Sequence, residues 1–308
     1  MSALLSLAQG RILVVGDIML DRYWFGEVSR ISPEAPVPIV RVQKCEERLG
    51  GAANVARNAA TLGATVGLLG VVGQDEAGDV ILRQLHELHV ADFLNRDPTM
   101  STIIKLRVIG RQQQLLRIDF EEAPTEGVLR DKLTRFNSLV ADYAIVVLSD
   151  YAKGSLVNVV EMIAGAARLG KTILVDPKGD DFVRYAGASL LTPNKAEFRQ
   201  VVGSWRDEDE LCRKAQQLRH GLRLQALLLT RSEEGMTLFC ENQVTHFPAM
   251  AREVFDVSGA GDTVIATVAV LLGAGQPLVE AVRYANKAGG LVVGKLGTAT
   301  LTAQELFA

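Results

Sequence analysis

A carboxylate stands beside a run of small residues near the C-terminal end of the chain. Gly259, Ala260 and Gly261 directly precede Asp262, and residues 264–272 follow as a stretch that is apolar on every face. Small residues before a helix leave its first backbone N–H groups open, and the helix dipole adds partial positive charge, so the segment predicts an anion site suited to phosphate. A carboxylate there would repel a phosphate unless it had a task, and the natural task is to accept the proton of an attacking hydroxyl. A capping aspartate after a flexible entry is the alternative interpretation.

A second glycine-rich segment lies far upstream and favours the chemical interpretation. Gly50 and Gly51 open the alanine-rich residues 52–62, in which Asn54 and Asn58 are one helical turn apart. Alanines let another group pack close to such a helix, and residues four apart share one of its faces. The pair of side-chain amides therefore predicts a face that can hold hydroxyl groups.

Together the two segments resemble the two signatures of the ribokinase-like carbohydrate kinases, the family that also contains minor phosphofructokinases and adenosine kinase. The similarity covers essentially the whole chain, through ordered motifs at residues 14–21, 176–178, 192–197 and 229–235. The resemblance implies an α/β fold with a doubly wound, mostly parallel sheet flanked by helices and a small antiparallel β lid. It also implies in-line phosphoryl transfer from ATP to a sugar hydroxyl.

Three strings, at residues 16–24, 29–38 and 148–154, are similar to the branch of this family that phosphorylates D-glycero-β-D-manno-heptose 7-phosphate. This likeness implies transfer to the anomeric O1, giving the 1,7-bisphosphate for ADP-heptose and lipopolysaccharide core biosynthesis. In many bacteria that kinase is fused to an adenylyltransferase. The chain lacks a His-x-Gly-His element, so we expect a stand-alone kinase and a separate adenylyltransferase acting downstream. Two alternatives stay open: another sugar-phosphate kinase of the same fold, such as a phosphofructokinase, and a non-catalytic sugar or nucleotide sensor.

The resemblance also implies roles around the phosphates. Asp262 would be the base, and the N–H groups of residues 259–261 would hold the transferring phosphoryl group. Asn194 and Glu197 would organise Mg²⁺ and its waters, because Mg²⁺ prefers oxygen ligands and keeps part of its hydration. Lys178 would offset charge on the ATP phosphates, a solvated loop lysine being the alternative. Further contacts to the nucleotide are expected from Lys195, Ala196, Thr230, Arg231, Gly235 and Asn286.

A monovalent cation site is implied beneath the anion site. Asp256 and the carbonyl of Ser258 match positions that hold such an ion, for example K⁺, in many relatives of this family. Because most ligands of such an ion are backbone carbonyls, the side chains leave K⁺ dependence open.

The sugar side of the site is expected around the opening strand. Asp21 falls where relatives place a carboxylate that accepts hydrogen bonds from sugar hydroxyls, and Gly50, Gly51 and Asn54 are expected on the same ligand. Asp17, four residues before Asp21, is interpreted as stabilising the local turn of the chain. These assignments follow from the resemblance.

A phosphate already on the sugar requires positive charge at the far end of the pocket. The candidates are Lys105, Arg107 and Arg111 in the lid and Lys153 in a loop of the core. Arg107 is the first choice, because arginine grips phosphate bidentately. Strand alternation puts Lys105 on the same face, so the two could act together. An exposed, solvated lid arginine is the alternative.

Short apolar segments and helical periods alternate along the chain. Strands are predicted at residues 12–15, 65–72, 144–148, 172–175 and 226–229. Helices are predicted at residues 76–88, 155–169, 208–220 and 278–293. This alternation is typical of a parallel sheet covered on both sides, in which ligands bind beyond the carboxyl ends of the strands. Asp150, Asp176 and Thr230 each follow or end a predicted strand, so we expect them at that edge.

Three segments alternate between apolar and polar residues instead, at residues 37–42, 102–109 and 114–120. They predict antiparallel strands of the lid, inserted at about residues 22–43 and 101–120 into a single kinase domain of residues 1–308. An exposed apolar face on a lid requires a partner, so a homodimer through the lid sheet is expected.

Composition limits the partners and the compartment. The 308 residues, 48% of them hydrophobic, can bury one large core, and a net charge of −3 argues against a nucleic-acid partner. Cys45, Cys212 and Cys240 form no Cys-x-x-Cys pair, which fits a reducing cytoplasm. No run reaches the roughly 18 apolar residues of a membrane span, and residues 1–10 hold too short an apolar stretch for a signal peptide. We therefore expect a cytoplasmic protein without a membrane partner.

Two further motifs are weaker. Residues 289–295 nearly complete a Walker loop, but Leu296 stands where a metal-binding Ser or Thr is required. His86 and His89 have a spacing that can bind metal, yet no third ligand is near in sequence. No Gly-x-Gly-x-x-Gly follows a predicted strand, which argues against a dehydrogenase.

Overall fold

The short apolar segments pair into one large sheet. The structure is a computed structural model that describes residues 7, 10–111, 113–250, 254–295 and 297–308. The strands of this sheet are β1 (Arg11–Gly16), β4 (Thr65–Leu69), β6 (Ala91–Asp92), β10 (Ile145–Ser149), β11 (Thr172–Asp176), β12 (Leu190–Leu191), β13 (Ala226–Thr230), β14 (Met236–Phe239) and β15 (Val244–Phe247). They lie in the order β15-β14-β13-β12-β11-β10-β1-β4-β6. From β13 to β6 every pair is parallel, and β14 and β15 add antiparallel neighbours at one edge.

Helices cover both faces of this sheet. They are α1 (Ala52–Thr61), α2 (Glu76–Glu87), α3 (Glu126–Leu139), α4 (Val159–Arg168), α5 (Lys195–Val202), α6 (Glu208–Gly221), α7 (Ala260–Gly273), α8 (Leu278–Val292) and α9 (Ala303–Phe307), with short 3-10 turns at Val140–Asp142, Phe182–Tyr185 and Ser232–Glu234. Successive side chains of β1 enter different cores: Val14 belongs to the core that includes side chains of α1, α2, α7 and α8, whereas Val15 belongs to the core that includes side chains of α3 to α6. Strands buried on both faces read as continuous apolar runs, which is why the sequence reveals them. The expected doubly wound, mostly parallel fold is confirmed.

A second, smaller sheet stands apart from the first, and we call it the lid sheet. Its strands are β2 (Ile18–Ile31), β3 (Pro38–Gly51), β8 (Ile103–Gly110) and β9 (Gln113–Phe120), in the order β3-β2-β8-β9. The two outer pairs are antiparallel, as expected, but the central pair of β2 with β8 is parallel. The chain reaches β8 only after passing through the body, so it enters the lid sheet in the same direction as β2. Two short strands, β5 (Val71–Gly73) and β7 (Asn95–Asp97), pair separately.

The register of the lid sheet separates a charged face from an apolar face. Asp21 lies opposite Lys105, and Tyr23 lies opposite Arg107. Because successive strand residues point to opposite faces, these four side chains share one face. The other face of β9 carries apolar side chains that remain exposed: Leu116, Ile118 and Phe120.

Two predicted elements differ from the observed ones for local reasons. The predicted strand at residues 65–72 divides at Gly70, where a Cβ would lie 2.4 Å from the side chain of Ile18. The helix predicted from residue 155 begins at Val159, because the backbone amide of Ser155 donates to Asp17 and holds the preceding residues in a loop. In the part of the chain that the structure describes, no helix has the length and apolar character needed to span a bilayer.

Candidate functional site

Asp262 lies in the first turn of α7 with its carboxylate enclosed. The side chain is 3% exposed. Its Oδ2 accepts a hydrogen bond of 2.7 Å from Asn54 Nδ2 on α1, and its Oδ1 accepts one of 2.6 Å from the hydroxyl of Tyr151. Two other elements of the fold therefore fix both oxygens of the carboxylate.

The surroundings of Asp262 raise its pKa to about 6. Burial is the main cause, since it disfavours the charged form, and the negative charge of Asp21 acts in the same direction. The hydrogen bonds from Tyr151 and Asn54 act in the opposite direction, because they stabilise the charged form. A carboxylate with a pKa near neutrality is suited to accept a proton and to release it again.

The start of α7 leaves room for an anion. Gly259 adopts a left-handed φ of 75°, and a Cβ there would lie 2.8 Å from Asn54 Nδ2, so a larger residue would strain the backbone and displace the amide. Gly261 is exposed, and a Cβ built on it meets nothing within 4 Å. The first backbone N–H groups of a helix have no intrahelical acceptor. The arrangement therefore offers amides that a phosphoryl group can approach, although the N–H of Ala260 would have to leave the carbonyl of Val257, to which it donates at 3.2 Å.

Hydrogen bonds link the two asparagines of α1 to each other and to Asp262. Asn58 Nδ2 donates to the backbone oxygen of Asn54 at 2.9 Å and to its Oδ1 at 3.3 Å. The hydroxyl of Thr263 in turn donates to Asn58 Oδ1 at 3.0 Å. Both amides are buried, so Asn58 orients Asn54 toward Asp262 and does not share a ligand-facing surface with it. This differs from the hydroxyl-binding pair that the helical spacing predicts.

Asp21 lies inside strand β2 and pairs with the lid. Its Oδ1 accepts a hydrogen bond of 2.5 Å from Arg107 Nη1, and the carboxylate is 4% exposed. A Cβ on Gly50 would come within 2.7 Å of Asp21 Oδ2, which explains the glycine. Gly51 has a φ of 57°, and a Cβ there would lie 2.4 Å from the carbonyl oxygen of Asp17. The end of β3 and the start of α1 therefore pack closely against Asp17 and Asp21.

Asp17 braces the loop that follows β10. Its Oδ2 accepts from the backbone N–H groups of Tyr151 at 2.8 Å and Lys153 at 3.1 Å, and its Oδ1 accepts from that of Ser155 at 2.9 Å. Burial raises the pKa of Asp17 even though these three amides oppose the shift. The loop that carries Tyr151 is therefore held at three points.

Three of the four predicted basic side chains around the lid sheet already have carboxylate partners. Lys105 and Lys153 both approach Glu121, at 3.4 Å and 2.5 Å respectively. Lys105 also lies 3.5 Å from Asp119, and Arg107 pairs with Asp21. Arg111 is exposed in the turn after β8, with a φ of 47°. A ligand phosphate would therefore have to compete with these carboxylates or draw the cations away from them.

A second arginine, missed by sequence reasoning, joins Arg107 on the charged face of the lid sheet. The guanidinium carbons of Arg107 and Arg48 lie 5.1 Å and 4.9 Å from the centroid of the Tyr23 ring. The hydroxyl of Tyr23 is buried and has no hydrogen-bond partner among the described residues. Arg48 lies opposite Asp21 in the register of β2 with β3, and that register is the signal that could have found it. Two cations and an unpaired hydroxyl suit a polar ligand group.

The predicted magnesium residues form the start of α5. Asn194 Oδ1 accepts from the backbone N–H groups of Ala196 and Glu197, both at 2.9 Å. Glu197 Oε2 accepts from the backbone N–H of Asn194 at 3.0 Å, which completes a capping box. The remaining Glu197 oxygen pairs with Lys178 Nζ at 2.8 Å. Both side chains thus have a structural role in α5, and Lys178 offsets the charge of Glu197.

Asp176, at the end of β11, is a further carboxylate of the site. Its pKa is raised well above the ordinary range, mainly by burial and then by repulsion from Asp262 and Glu197. Negative charge is therefore concentrated at this edge of the sheet. Within the described residues no group of three His, Cys, Asp or Glu side chains is placed to bind a metal ion directly. The carboxylates of Asp176 and Glu197 suit a divalent cation that is held through bound waters and offsets this repulsion.

The predicted nucleotide loop after β13 is held by its own side chains. Arg231 is buried, and its guanidinium donates to Glu208, Glu234 and Thr237, so it fixes the loop and does not project from it. Thr230 N–H donates to the carbonyl of Pro193 at 3.0 Å, which brings this loop beside Asn194.

Three other predicted nucleotide residues are likewise engaged with the protein. Lys195 pairs with Glu234, and Asn286 Nδ2 donates to the carbonyl of Pro248 at 2.8 Å. Gly235 has a φ of 92°, and a Cβ there would lie 2.1 Å from the carbonyl oxygen of Phe247. The side chains of Lys195 and Asn286 are thus engaged with neighbouring residues, and Gly235 has no room for a side chain.

The predicted cation residues lie in the loop before α7. Asp256 Oδ1 accepts from the N–H of Ser258 at 2.8 Å, and its Oδ2 accepts from the N–H of Gly297 at 3.0 Å. Asp256 thereby ties the approach to the anion site to the segment after α8. Leu296, which argues against a Walker loop, lies outside the described residues. His86 lines a shallow surface groove with Arg83 and Glu87.

Comparison with known proteins agrees with this geometry. Residues 9–305 match the pfkB family of carbohydrate kinases. The chain is 58% identical over 300 residues to D-beta-D-heptose 7-phosphate kinase of Bordetella bronchiseptica, an alignment that covers 97% of this chain and 96% of that protein. It is 54% identical to the bifunctional protein HldE of Methylococcus capsulatus, where the alignment covers 96% of this chain but only 63% of the relative.

Solved structures share the fold at low sequence identity. Phosphofructokinase-2 from Escherichia coli in complex with potassium has a TM-score of 0.81 at 19% identity, over 97% of this chain and 96% of that one. Arabidopsis thaliana ribokinase complexed with ribose and ATP has a TM-score of 0.77 at 20% identity, over 97% of both chains. At this level of sequence identity, the similarities show the fold alone.

Proposed function

Because the chain belongs to the pfkB family of carbohydrate kinases, we propose that it transfers the γ-phosphoryl group of ATP to the anomeric O1 of D-glycero-β-D-manno-heptose 7-phosphate. The product is the 1,7-bisphosphate, which a separate adenylyltransferase would use to make ADP-heptose for the lipopolysaccharide core. The sugar assignment draws on the Bordetella relative, 58% identical over nearly the full length of both proteins. As an ATP-dependent step on a phosphorylated sugar, the reaction belongs in the cytoplasm.

The observation that carries the proposal is Asp262. Its carboxylate is enclosed at the start of α7, has a pKa of about 6, and adjoins open backbone amides. A proton acceptor beside an anion-binding helix start is what phosphoryl transfer requires, because the protein must both position the reactants and balance the charge that develops on the phosphoryl oxygens. A capping role alone does not account for burial of an aspartate with its pKa raised toward neutrality.

The reaction follows from these positions. The sugar O1–H donates its proton to the Asp262 carboxylate as O1 attacks the γ-phosphorus. The bond between that phosphorus and the oxygen bridging to the β-phosphate breaks, and ADP leaves with the electron pair. The N–H groups of Gly259, Ala260 and Gly261 receive the equatorial oxygens, whose charge grows in the transition state. Asp262 then releases the proton to water. A single base of this kind contributes roughly 10² to 10⁴-fold in rate.

On the sugar side, Asp21 and the charged face of the lid sheet support recognition of a phosphorylated substrate. Asp21 would accept sugar hydroxyls near Gly50, Gly51 and Asn54. The cations around Tyr23, namely Arg107 and Arg48, supply the charge for the phosphate at C7, with Lys105 and Lys153 as further donors. Burial lowers the pKa of Arg107, whereas the charge of Asp21 and its hydrogen bond raise it. The net pKa lies above the ordinary value, so Arg107 remains a cation.

On the nucleotide side, Mg²⁺ would be held through water near Asn194 and Glu197, with Asp176 as an additional carboxylate. When bound, the ion neutralises charge on the ATP phosphates. Lys178 would add a positive charge at the same edge, and Lys195, Ala196, Thr230, Arg231, Gly235 and Asn286 would line the nucleotide. A monovalent cation such as K⁺ would be held by Asp256 and the carbonyl of Ser258, where it would support the loop that precedes the anion site.

A panel of sugar phosphates tests the proposal. Purified protein with ATP and Mg²⁺ is given heptose 7-phosphate, fructose 6-phosphate and glucose 6-phosphate in turn, and ADP release is measured. Turnover of the heptose phosphate with a kcat/KM far above the hexose phosphates is expected. Preference for fructose 6-phosphate would make the protein a phosphofructokinase, a class that shares its architecture. No turnover with any sugar would favour a sensor.

The exposed apolar face of β9 supports a homodimer through the lid sheet. Leu116, Ile118 and Phe120 are 53%, 37% and 49% exposed on the face opposite Arg107. A strand with an apolar face and an open edge is a template for association, and a second copy would cover both. Sedimentation at micromolar concentration is expected to give the dimer mass, and a monomer would refute this part of the proposal.

A further inference from the structure

Tyr151 touches the candidate base directly, although sequence reasoning gives it no role. Its hydroxyl donates to Asp262 Oδ1 at 2.6 Å, and Asn54 holds the other oxygen from the opposite side. The pKa of Tyr151 is raised well above 10 by burial and by the charges of Asp262, Asp176 and Asp21. The phenol therefore stays protonated at neutral pH and remains a hydrogen-bond donor to Asp262.

Several backbone hydrogen bonds hold the loop that carries Tyr151. Asp17 accepts three of its backbone N–H groups. Asp150 Oδ1 accepts the N–H of Ala152 at 2.7 Å, and Ala152 has a φ of 56°, a conformation that non-glycine residues adopt at an energetic cost. Strained backbone persists where its surroundings over-determine it, and such positions cluster at functional sites.

A buried lysine anchors the far end of the same loop. Lys132 Nζ on α3 donates to the backbone oxygen and to the hydroxyl of Ser155, and that hydroxyl donates to the carbonyl of Gly16 at 3.0 Å. Burial lowers the pKa of Lys132 to about 8, against the charges of Asp17 and Asp150. Tyr151 is thus carried on a loop tied to β1 and α3, and its hydroxyl has a defined position relative to α7.

The charges that face Asp262 make such a donor necessary. Asp21 from β2 repels a negative charge at Asp262, and the Asp262 charge in turn raises the pKa of Asp176 on β11. The lid cation Arg107 is paired with Asp21. Burial acts in the same direction as the Asp21 charge. The hydrogen bonds from Tyr151 and Asn54 are the contacts that favour the charged carboxylate. Tyr151 is therefore placed to favour the ionised form of the Asp262 carboxylate and to fix the orientation of its oxygens.

We propose that Tyr151 is a positioning residue for the phosphoryl transfer: its hydroxyl, fixed by the Asp17-braced loop, orients the Asp262 carboxylate and holds it in the proton-accepting form. This inference rests on the proposed function. It assigns Tyr151 no contact with the reacting atoms, since its action passes through Asp262. It predicts that loss of the hydroxyl impairs the reaction most at acidic pH, where the carboxylate is closest to taking up a proton.

The test compares Tyr151→Phe with wild type in kcat/KM for heptose 7-phosphate from pH 5 to pH 9. Loss of the donor should move the acidic limb upward by about one pH unit, because a hydrogen bond to a carboxylate stabilises its charged form by that order. The variant should then lose about tenfold more activity at pH 5.5 than at pH 8.5. The substrate phosphate titrates identically with both proteins, so the difference between the two profiles belongs to the enzyme.

Tyr143→Phe is the matched control. Tyr143 is also buried, but its ring lies against Arg11 at the other end of β1, so removal of its hydroxyl should leave the acidic limb in place. An equal loss of activity at every pH in Tyr151→Phe would indicate a merely structural role and overturn the inference. Wild-type protein without kinase activity would refute the proposed function instead.

A second substitution covers the case in which Tyr151→Phe folds poorly. Incorporation of 3-fluorotyrosine at position 151 keeps the ring and the hydroxyl but makes the hydroxyl a stronger donor. The acidic limb should then move downward, opposite to its movement in Tyr151→Phe. An unchanged or upward limb would contradict the assignment of Tyr151 as the donor that favours the charged carboxylate.

Discussion

Replacement of Asp262 by asparagine should make the protein more stable while it removes catalysis. The folded carboxyl has a pKa of about 6 against an ordinary value of 3.8. Above both values the carboxyl is ionised in the folded and unfolded chain, and the folded state bears an electrostatic penalty of roughly 3 kcal/mol. Asparagine has nearly the same shape: its Oδ1 can accept from Asn54 Nδ2, and its Nδ2 can donate to the hydroxyl oxygen of Tyr151. The variant therefore escapes the electrostatic penalty, and the Tyr151 O–H, which loses its acceptor, offsets about 1 kcal/mol of the gain.

The sign of the pH dependence follows from proton uptake. Between pH 3.8 and about 6 the folded protein holds a proton that the unfolded chain has lost. The stability contributed by this carboxyl is therefore largest at low pH and declines as the pH rises through that interval. Before the offset from Tyr151 is subtracted, Asp262→Asn should exceed wild type by up to about 3 kcal/mol at pH 8 and by about 1 kcal/mol at pH 4.5. Relief of the repulsion on Asp176 adds to the gain at the higher pH.

Urea unfolding followed by tryptophan fluorescence at pH 4.5 and pH 8 measures both values. Groups remote from the site titrate alike in the two proteins, so the difference between their unfolding free energies reports position 262 together with its effect on Asp176. A variant that is less stable than wild type at pH 8, or equally changed at both pH values, would refute the reasoning. Such a result would mean that the carboxylate is not desolvated in the folded protein.

The remaining predictions concern the sugar phosphate, the anion site and the lid sheet. Arg107→Ala should raise KM for the sugar phosphate about 10- to 100-fold with little change in KM for ATP, whereas Arg41→Ala, whose side chain is 76% exposed, should change neither. Gly259→Ala should lower both kcat and stability, the latter by about 1–2 kcal/mol, because its left-handed φ of 75° disfavours a side chain. Gly127→Ala, where a Cβ meets nothing within 4 Å, should be neutral. Phe120→Asp should shift sedimentation toward the monomer, and an unchanged dimer would place the interface elsewhere.

Local pattern predicts the layered sheet well. The apolar run of β1 and the helical period of α2 correspond to the observed elements within one or two residues. Both signals are local, since a strand buried on two faces requires apolar residues throughout and an amphipathic helix repeats every 3.6 residues. The full length of β2 is less visible, because its outer half is largely exposed and its inner half is interrupted by the charged residues Asp21 and Arg22.

Partners far apart in sequence could not be derived from local pattern. Arg107 and Asp21 are 86 residues apart, and Asn54 and Asp262 are 208 apart. The sequence identifies each as a candidate by residue type, but it does not show that Arg107 is already paired. The contact of Tyr151 with Asp262 could not be derived from local pattern either, because it depends on a loop that Asp17 fixes.

The most direct test of the account is phosphorus NMR of the reaction with ATP, Mg²⁺ and heptose 7-phosphate. Wild type is expected to form a second sugar phosphate resonance that is coupled to the anomeric proton, and Asp262→Asn is expected to form it about 10² to 10⁴-fold more slowly. A phosphate attached to any other carbon would contradict transfer to O1. Product formed by Asp262→Asn at nearly the wild-type rate would contradict the role of Asp262 as the base.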